Sequence, residues 1–261
     1  MRAFIGNRIK PYYLFGVVGI LLAWEFSAVS MPGVVPRLGA VGSSLLLLAQ
    51  TGELWRQLGV SLQRSMAGLS FGAALGLLLG AVAGFCKPVY YVLKPLIGAL
   101  LSSPAVVVVM LAMMWFGVGS FMIVFVTALF TVPVLYVSVV EGMELIDAEI
   151  LEMAAVFRMS KWTLWWNIYL PALATAVLTG LTFAAGTAFR KTVMAELLGS
   201  NDGIGYAMAM TRFNLDVARL FAWVAVCLCV GGVIQRAMVK PVAGYLRRWR
   251  HVSRESGVVH E

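Results

Sequence analysis

The side chains with catalytic or metal-ligating chemistry are few and poorly spaced for it. The two histidines, His251 and His260, both lie in the C-terminal tail, so neither a histidine-based triad nor a histidine-rich metal site can form within the apolar body of the chain. Cys86, Cys227 and Cys229 sit in apolar surroundings. The last two are two positions apart, which on a helix turns them to nearly opposite faces and prevents a shared metal; all three read as buried small residues. No Gly-x-x-x-x-Gly-Lys-Ser/Thr phosphate loop is present, so a chain that uses ATP must have it hydrolysed by another subunit. What remains is charge set in apolar segments: Arg190 and Lys191, preceded by Thr187; Arg64, beside Ser61 and Ser65; and Glu25 and Arg219. A charge in a span costs about 2.5–3.5 kcal/mol on insertion scales, so such residues invite a functional reading.

The elements that hold these residues follow from composition. The chain has 261 residues, 61% hydrophobic and only 12% charged, with mean hydropathy +0.90. Soluble domains carry about a quarter charged residues. Apolar runs between turn signals define six spans, at residues 11–30, 59–85, 92–116, 120–140, 171–194 and 217–239. The expected fold is therefore an all-α integral membrane protein, one transmembrane domain over residues 1–261 with no separate soluble domain. The N-terminal segment has the layout of a signal peptide, with a basic start, an apolar run from Tyr12 to Leu22 and small residues at Ala28-Val29-Ser30; it is read as an uncleaved first span. Pro32-Gly33 and Pro36 break the chain after it, and Val41 to Leu58 suits a helix lying in the interface. With the N-terminus inside, thirteen Lys and Arg residues fall on inner segments and three (Arg37, Arg56 and Arg212) on outer ones. That asymmetry places both termini in the cytoplasm. The formal net charge of +8 is concentrated at the two ends, without an aromatic-basic motif, which points to the headgroups of membrane lipids and not to nucleic acid.

One inner loop, residues 141–170, is longer than the other connections. Glu141, Glu144, Asp147, Glu149 and Glu152 lead into an Ala-rich stretch, then a polar joint at Met159-Ser160-Lys161, then Trp162, Trp165, Trp166 and Ile168. Ile150, Met153, Ala154 and Phe157 recur at three- and four-residue spacing, giving the first helix one apolar face. Pro171 suits the first turn of the fifth span. The loop reads as two short helices at the membrane surface, open to a soluble partner.

The run from Glu152 to Pro171, EMAAVFRMSKWTLWWNIYLP, resembles the coupling loop of bacterial ATP-binding cassette (ABC) importer permeases. That pattern is Glu-Ala-Ala, three residues, Gly, nine residues, Ile-x-Leu-Pro, and Glu152, Ala154, Ile168, Leu170 and Pro171 fall in register. The chain is similar to the subgroup importing nitrate, sulfonates, taurine, bicarbonate and some thiamine precursors. The supporting segments, in order, are Ser61-Leu62-Gln63-Arg64 with Gly68 and Gly72 to Gly80; Pro95 through Ser103-Pro104-Ala105; Trp115-Phe116-Gly117-Val118-Gly119; Ala195-Glu196; and Gly203-Ile204-Gly205-Tyr206.

The resemblance implies a six-span permease, a small solute moved along a dimer axis, and a coupling helix seated in a cleft of the ATPase. It assigns coupling to Glu152, Ala154, Ala155, Arg158 and Pro171. It also implies ABC ATPase subunits, a periplasmic or lipid-anchored solute-binding protein and a second permease copy as partners, in a bacterial inner membrane. This chain would bind no cofactor, with ATP and Mg held by the partner ATPase. The family's glycine falls on Arg158, where a left-handed arginine costs about 1–2 kcal/mol; the joint is then reshaped, or Arg158 contacts the ATPase or an acid such as Glu149 or Glu152. Without the register, Glu152 is one solvated acid among five. Thr187, Arg190 and Lys191 are the expected path residues, and whichever of the two cations lines the path favours an anionic solute of the nitrate, sulfonate or taurine kind. Arg190 and Lys191 lie about 100° apart on a helix, so only one can face the axis, and near the outer interface either can instead snorkel. Thr182 reads as a second path hydroxyl or as bonded to its own backbone. Gly72, Gly76 and Gly80 read as a close-packing seam. The other readings are a heterodimeric permease, a membrane scaffold, or an intramembrane enzyme of unrecognised type.

Overall fold

A computed structural model describes residues 9–31 and 33–255. Among the described residues the chain is helical, without strands. Helix α1 (Ile9–Ser30) leads through a turn with Gly33 at φ 93° into α2 (Leu38–Gln50). Trp24 donates its indole N–H to the Pro36 carbonyl at 2.9 Å, and the Glu25 carboxylate accepts the Leu38 N–H at 3.4 Å. An acid at a helix start satisfies a free N–H and complements the dipole, which gives Glu25 a structural role. Gly52, left-handed at φ 75°, ends this element, and α3 (Glu53–Phe85) starts at once and runs for 33 residues. The expected interfacial helix over 41–58 is thus divided. Its second half belongs to α3, because the left-handed glycine stops α2 and nothing after Glu53 interrupts the next helix.

The expected span 92–116 is also two helices, α4 (Lys87–Ser102) and α5 (Ala105–Phe116), which meet at 104°. Pro104 disfavours helical backbone at the residue before it, and Ser103 is extended, at φ −73° and ψ 131°. Helix α6 (Ser120–Glu144) follows, then α7 (Ala148–Val156), α8 (Lys161–Leu164), a π turn (Trp165–Tyr169), α9 (Leu170–Gly199), α10 (Ile204–Phe213) and α11 (Val217–Glu255). Against six expected spans, four helical segments among the described residues are long and apolar enough to cross a membrane: Glu53–Phe85, Ser120–Glu144, Trp162–Gly199 and Val217–Met238. The bent pair makes a fifth when counted as one span. The fifth and sixth expected spans both continue beyond residues 194 and 239, and α10 fills part of the loop between them.

Helix α6 is the centre, packed between α3 and α9. Gly68, Gly72, Gly76 and Gly80 line the α3 side of the first contact. A Cβ built on Gly72 would lie 2.5 Å from the Ala128 carbonyl oxygen, and one on Gly76 2.6 Å from that of Val132. Side chains there would force the helices apart, so the small residues set their spacing. On the other side of α6, Gly142 faces Ala176 and Gly180 faces Ser138. The apolar cores follow from this arrangement: Val109, Met122, Val126 and Ala195 join α5, α6 and α9, while Phe189, Ile204 and Trp223 join α9, α10 and α11. The cysteines are not the buried residues expected. Cys86 and Cys229 are exposed and Cys227 is half-buried, because the apolar neighbours seen in sequence lie on outward helix faces.

Candidate translocation trough and coupling helix

Helix α7 ends in a Schellman arrangement. The Arg158 N–H donates to the Ala155 carbonyl and the Met159 N–H to that of Ala154, both at 3.0 Å. Arg158 occupies the left-handed position, at φ 51°. The chain therefore keeps the conformation suited to glycine while carrying arginine, at a cost of about 1–2 kcal/mol. Glu152, Ala155 and Arg158 are exposed, whereas Ala154 is buried. Among the described residues neither Glu152 nor Arg158 has an ionic partner. The apolar face expected on this helix is largely uncovered, with Phe157 73% exposed.

The second half of the loop is not a separate surface helix. The Ser160 hydroxyl oxygen accepts the Thr163 N–H at 3.1 Å, a local N-cap. From there α8, the π turn and α9 form one helical segment, Trp162–Gly199. Pro171 stands in the first turn of α9, as expected, although the helical segment as a whole begins earlier, at Trp162. The Leu170 N–H reaches back five residues to the Trp165 carbonyl, and this widened turn directly precedes the proline, which has no N–H to donate. Trp165 and Tyr169 pack against Phe85 at ring separations of 5.9 and 5.5 Å, which ties the turn to the end of α3.

A trough lies between α6 and α9. Its larger part, about 570 Å³, is lined by Leu101, Pro133, Val134, Val137, Ser138, Glu141, Thr175, Thr179, Gly180 and Phe183, among others. Its smaller part, about 250 Å³, is lined by Ser103, Thr127, Phe130, Thr131, Thr187 and Lys191, and again by Leu101, Val134 and Phe183. On α9 the lining residues Thr175, Thr179, Phe183, Thr187 and Lys191 recur every four positions, one helix stripe about 24 Å long. Lys191 Nζ sits 4.4 Å from the centre of the Phe130 ring, a cation–π contact. Arg190 is exposed and donates through Nε to the Gly186 carbonyl at 3.1 Å; it does not line this trough. The Thr182 hydroxyl bonds the Leu178 carbonyl and is likewise absent from the lining.

At the bundle end opposite α7 the structure joins residues that the sequence presents separately. Arg64, 6% exposed, donates to Glu196 at 3.1 Å and to Ser200 and the Asp202 carbonyl at 3.0 Å. It also bonds Ser120 at 2.7 Å and pairs with the Asp202 carboxylate. Three successive N–H groups at the start of α10 are held from α3 and α9. Gly203 donates to Gln57 at 2.7 Å, Ile204 to Ser61 at 2.8 Å and Gly205 to Glu196 at 3.1 Å. Every polar group in this buried knot is partnered, the condition under which burial of a charge is tolerated. Arg64 thus has an inter-helix role. Arg219 pairs with Glu53, joining α11 to α3.

Residues 72–240 match the family of binding-protein-dependent transport system inner membrane components, and the chain belongs to that family as a multi-pass permease subunit of an ABC importer. It is 30% identical over 204 residues to a putative aliphatic sulfonates transport permease protein of Bacillus subtilis, covering 78% of this chain and 74% of the relative. The protein described in the same words from Escherichia coli is 31% identical, at 78% of both chains. A formylaminopyrimidine transport permease protein of Halalkalibacterium halodurans is 25% identical, at 94% and 97%. Among solved structures, an inward-facing form of the MetNI methionine ABC transporter shares the fold at a TM-score of 0.62 and 14% identity, over 76% of this chain and 96% of that one.

Proposed function

We propose that this permease imports a small organic anion of the sulfonate class and works as a two-fold pair, with two ATPases on the α7 side and a solute-binding protein on the other. The observation carrying the anion reading is Lys191, a cation on the trough between α6 and α9 among threonines and apolar side chains. The two relatives described as aliphatic sulfonate permeases agree with it. The asymmetry of Lys and Arg between loops supports cytoplasmic termini and a cytoplasmic α7. On this reading the exposed face of α7, with Glu152, Ala155 and Arg158, seats in the ATPase. ATP and Mg are held there, and this chain supplies no cofactor site. The unbroken passage through the π turn and Pro171 into α9 carries the movement of α7 to the stripe that bears Thr187 and Lys191.

Removing the Lys191 charge tests the assignment. Lys191→Met is expected to lower uptake of an alkanesulfonate about tenfold, equivalent to ~1.4 kcal/mol, while the complex with its ATPase is recovered in the usual amount. Arg190→Met is expected to change uptake little. Equal uptake by wild type and Lys191→Met would return Lys191 to an interfacial role.

A further inference from the structure

Another groove, of about 240 Å³, lies between α4 and α6 at the α7 end of the bundle. Its polar walls are Tyr90 and Lys94 from α4 with Tyr136, Glu141 and Glu144 from α6. Apart from Glu141, none of these lines the trough between α6 and α9. Three of them are left without a counterpart. Tyr136 is buried, at 3% exposure, yet its hydroxyl has no hydrogen-bond partner among the described residues, a condition that buried polar groups rarely keep. Lys94 and Glu144 carry opposite charges into the same groove but form no ion pair with each other. Lys94 Nζ lies instead 5.2 Å from the centre of the Tyr90 ring. A cation, an acid and a hydroxyl that do not satisfy one another suit a ligand bearing both charges, because each charge meets its opposite and no net charge is brought in.

The order of these groups along the helices narrows the ligand further. On α6, Glu144 is outermost and Tyr136 lies about 12 Å deeper. On α4, Lys94 precedes Leu101 by about 10 Å in the same direction. The groove thus passes from acid to ammonium and phenol, and then to an apolar floor of Ile97, Leu101 and Val137. A glycerophospholipid with an ethanolamine head has the complementary order read inward: ammonium, phosphate, glycerol ester, hydrocarbon. Lysine and tyrosine near the end of a span mark the level of lipid heads, and α4 opens with Lys87 and carries the exposed Tyr91 beside these groups. A lipid of net negative charge would set its head against the carboxylates, and one with a quaternary ammonium has no N–H to give them.

The geometry points to a site for one phosphatidylethanolamine molecule between α4 and α6, with its ammonium on Glu144, its phosphate on Lys94, an ester oxygen on the Tyr136 hydroxyl and an acyl chain along Ile97, Leu101 and Val137. The site lies in the leaflet on the α7 side. It joins the first half of the broken helix pair to the central helix of the bundle, and it stands independently of the reading of the trough as the path.

The test uses the complete transporter, stripped of lipid in mild detergent and offered phosphatidylethanolamine, phosphatidylcholine or phosphatidylglycerol with identical acyl chains. Binding is counted by native mass spectrometry and followed as the rise in the unfolding midpoint. Phosphatidylethanolamine should bind about tenfold more tightly than either of the others. Glu144→Gln should remove its advantage over phosphatidylglycerol, and Lys94→Met should weaken all three about tenfold, because each carries a phosphate. Tyr136→Phe separates a ligand contact from a merely structural role. Without lipid this variant should unfold at or above the wild-type midpoint, since it deletes an unpaired hydroxyl, while the rise produced by phosphatidylethanolamine shrinks. A phosphatidylethanolamine with a photoreactive group in its acyl chain should label residues 97–101 or 133–140. Equal affinity for the three lipids, a preference that survives Glu144→Gln, an undiminished rise with Tyr136→Phe, or labelling only elsewhere would overturn the site. Displacement of the lipid by an equal concentration of glycerophosphoethanolamine, which has the head and no chains, would assign the groove to a soluble zwitterion and overturn the lipid reading.

Discussion

Arg64→Ala is expected to cost about 3–5 kcal/mol, because it strands the buried Glu196 carboxylate and frees the Asp202 carboxylate at the start of α10. Measured as the yield of folded protein in mild detergent and its thermal unfolding midpoint, the variant should be the most damaged of any single substitution considered for this chain. Arg64→Lys should be intermediate. Lysine keeps the charge but is a point donor, and cannot span Ser120, Glu196 and Asp202 as the guanidinium fork does. The diagnostic variant is the double change Arg64→Met with Glu196→Gln, which removes both buried charges while glutamine can still accept a hydrogen bond from the Gly205 N–H. It should recover part of the loss, since the larger penalty is the orphaned charge and not the absent pair. A double variant as unstable as Arg64→Ala would mean that the pair itself, through its geometry, holds the end of the bundle.

The second large effect is functional, with the fold left whole. Ala155→Trp places a large ring on an exposed position of α7, so the unfolding midpoint should stay within about 0.5 kcal/mol of wild type, the usual range for a surface change. If α7 seats in a close-fitting cleft, the same ring should weaken the ATPase complex about 100-fold, or ~2.7 kcal/mol, and abolish uptake with it. Glu152→Ala, which removes a charge that has no ionic partner among the described residues, should weaken it about tenfold. Unchanged uptake and unchanged stimulation of the ATPase in both variants would remove α7 from the coupling role.

Much of this organisation is written locally. The α7 end can be read from Ala154 to Met159, because a Schellman turn is made by neighbours in the chain. The glycine seam on α3 follows from spacing alone. The elbow at Ser103-Pro104 is missed by a hydropathy window, which averages across a proline, although the proline names the break. The π turn has no comparable signal: Trp165 to Tyr169 is an ordinary helical run until Pro171 removes an N–H downstream. Arg64 and Glu196 are separated by 132 positions, and nothing near either residue identifies its partner. The trough lies between these cases. Of its α9 stripe the sequence offers Thr187 and Lys191, together with Thr182 and Arg190, which lie off it, and it gives no sign of Thr175 or Thr179. Its α6 wall is not legible, because Thr127, Thr131 and Ser138 look like any span hydroxyls until packing sets them opposite Lys191 and Phe183.

The central claim is that this chain lets ATP hydrolysis by a partner drive an organic anion across the membrane. It is tested most directly in proteoliposomes holding the permease with its copurified ATPase and solute-binding protein, by following labelled alkanesulfonate with ATP on the α7 side. The expected result is accumulation above the external concentration that needs both ATP and the binding protein, ceases with Ala155→Trp and falls about tenfold with Lys191→Met. Entry that only equilibrates, or that proceeds equally without ATP, would contradict the account.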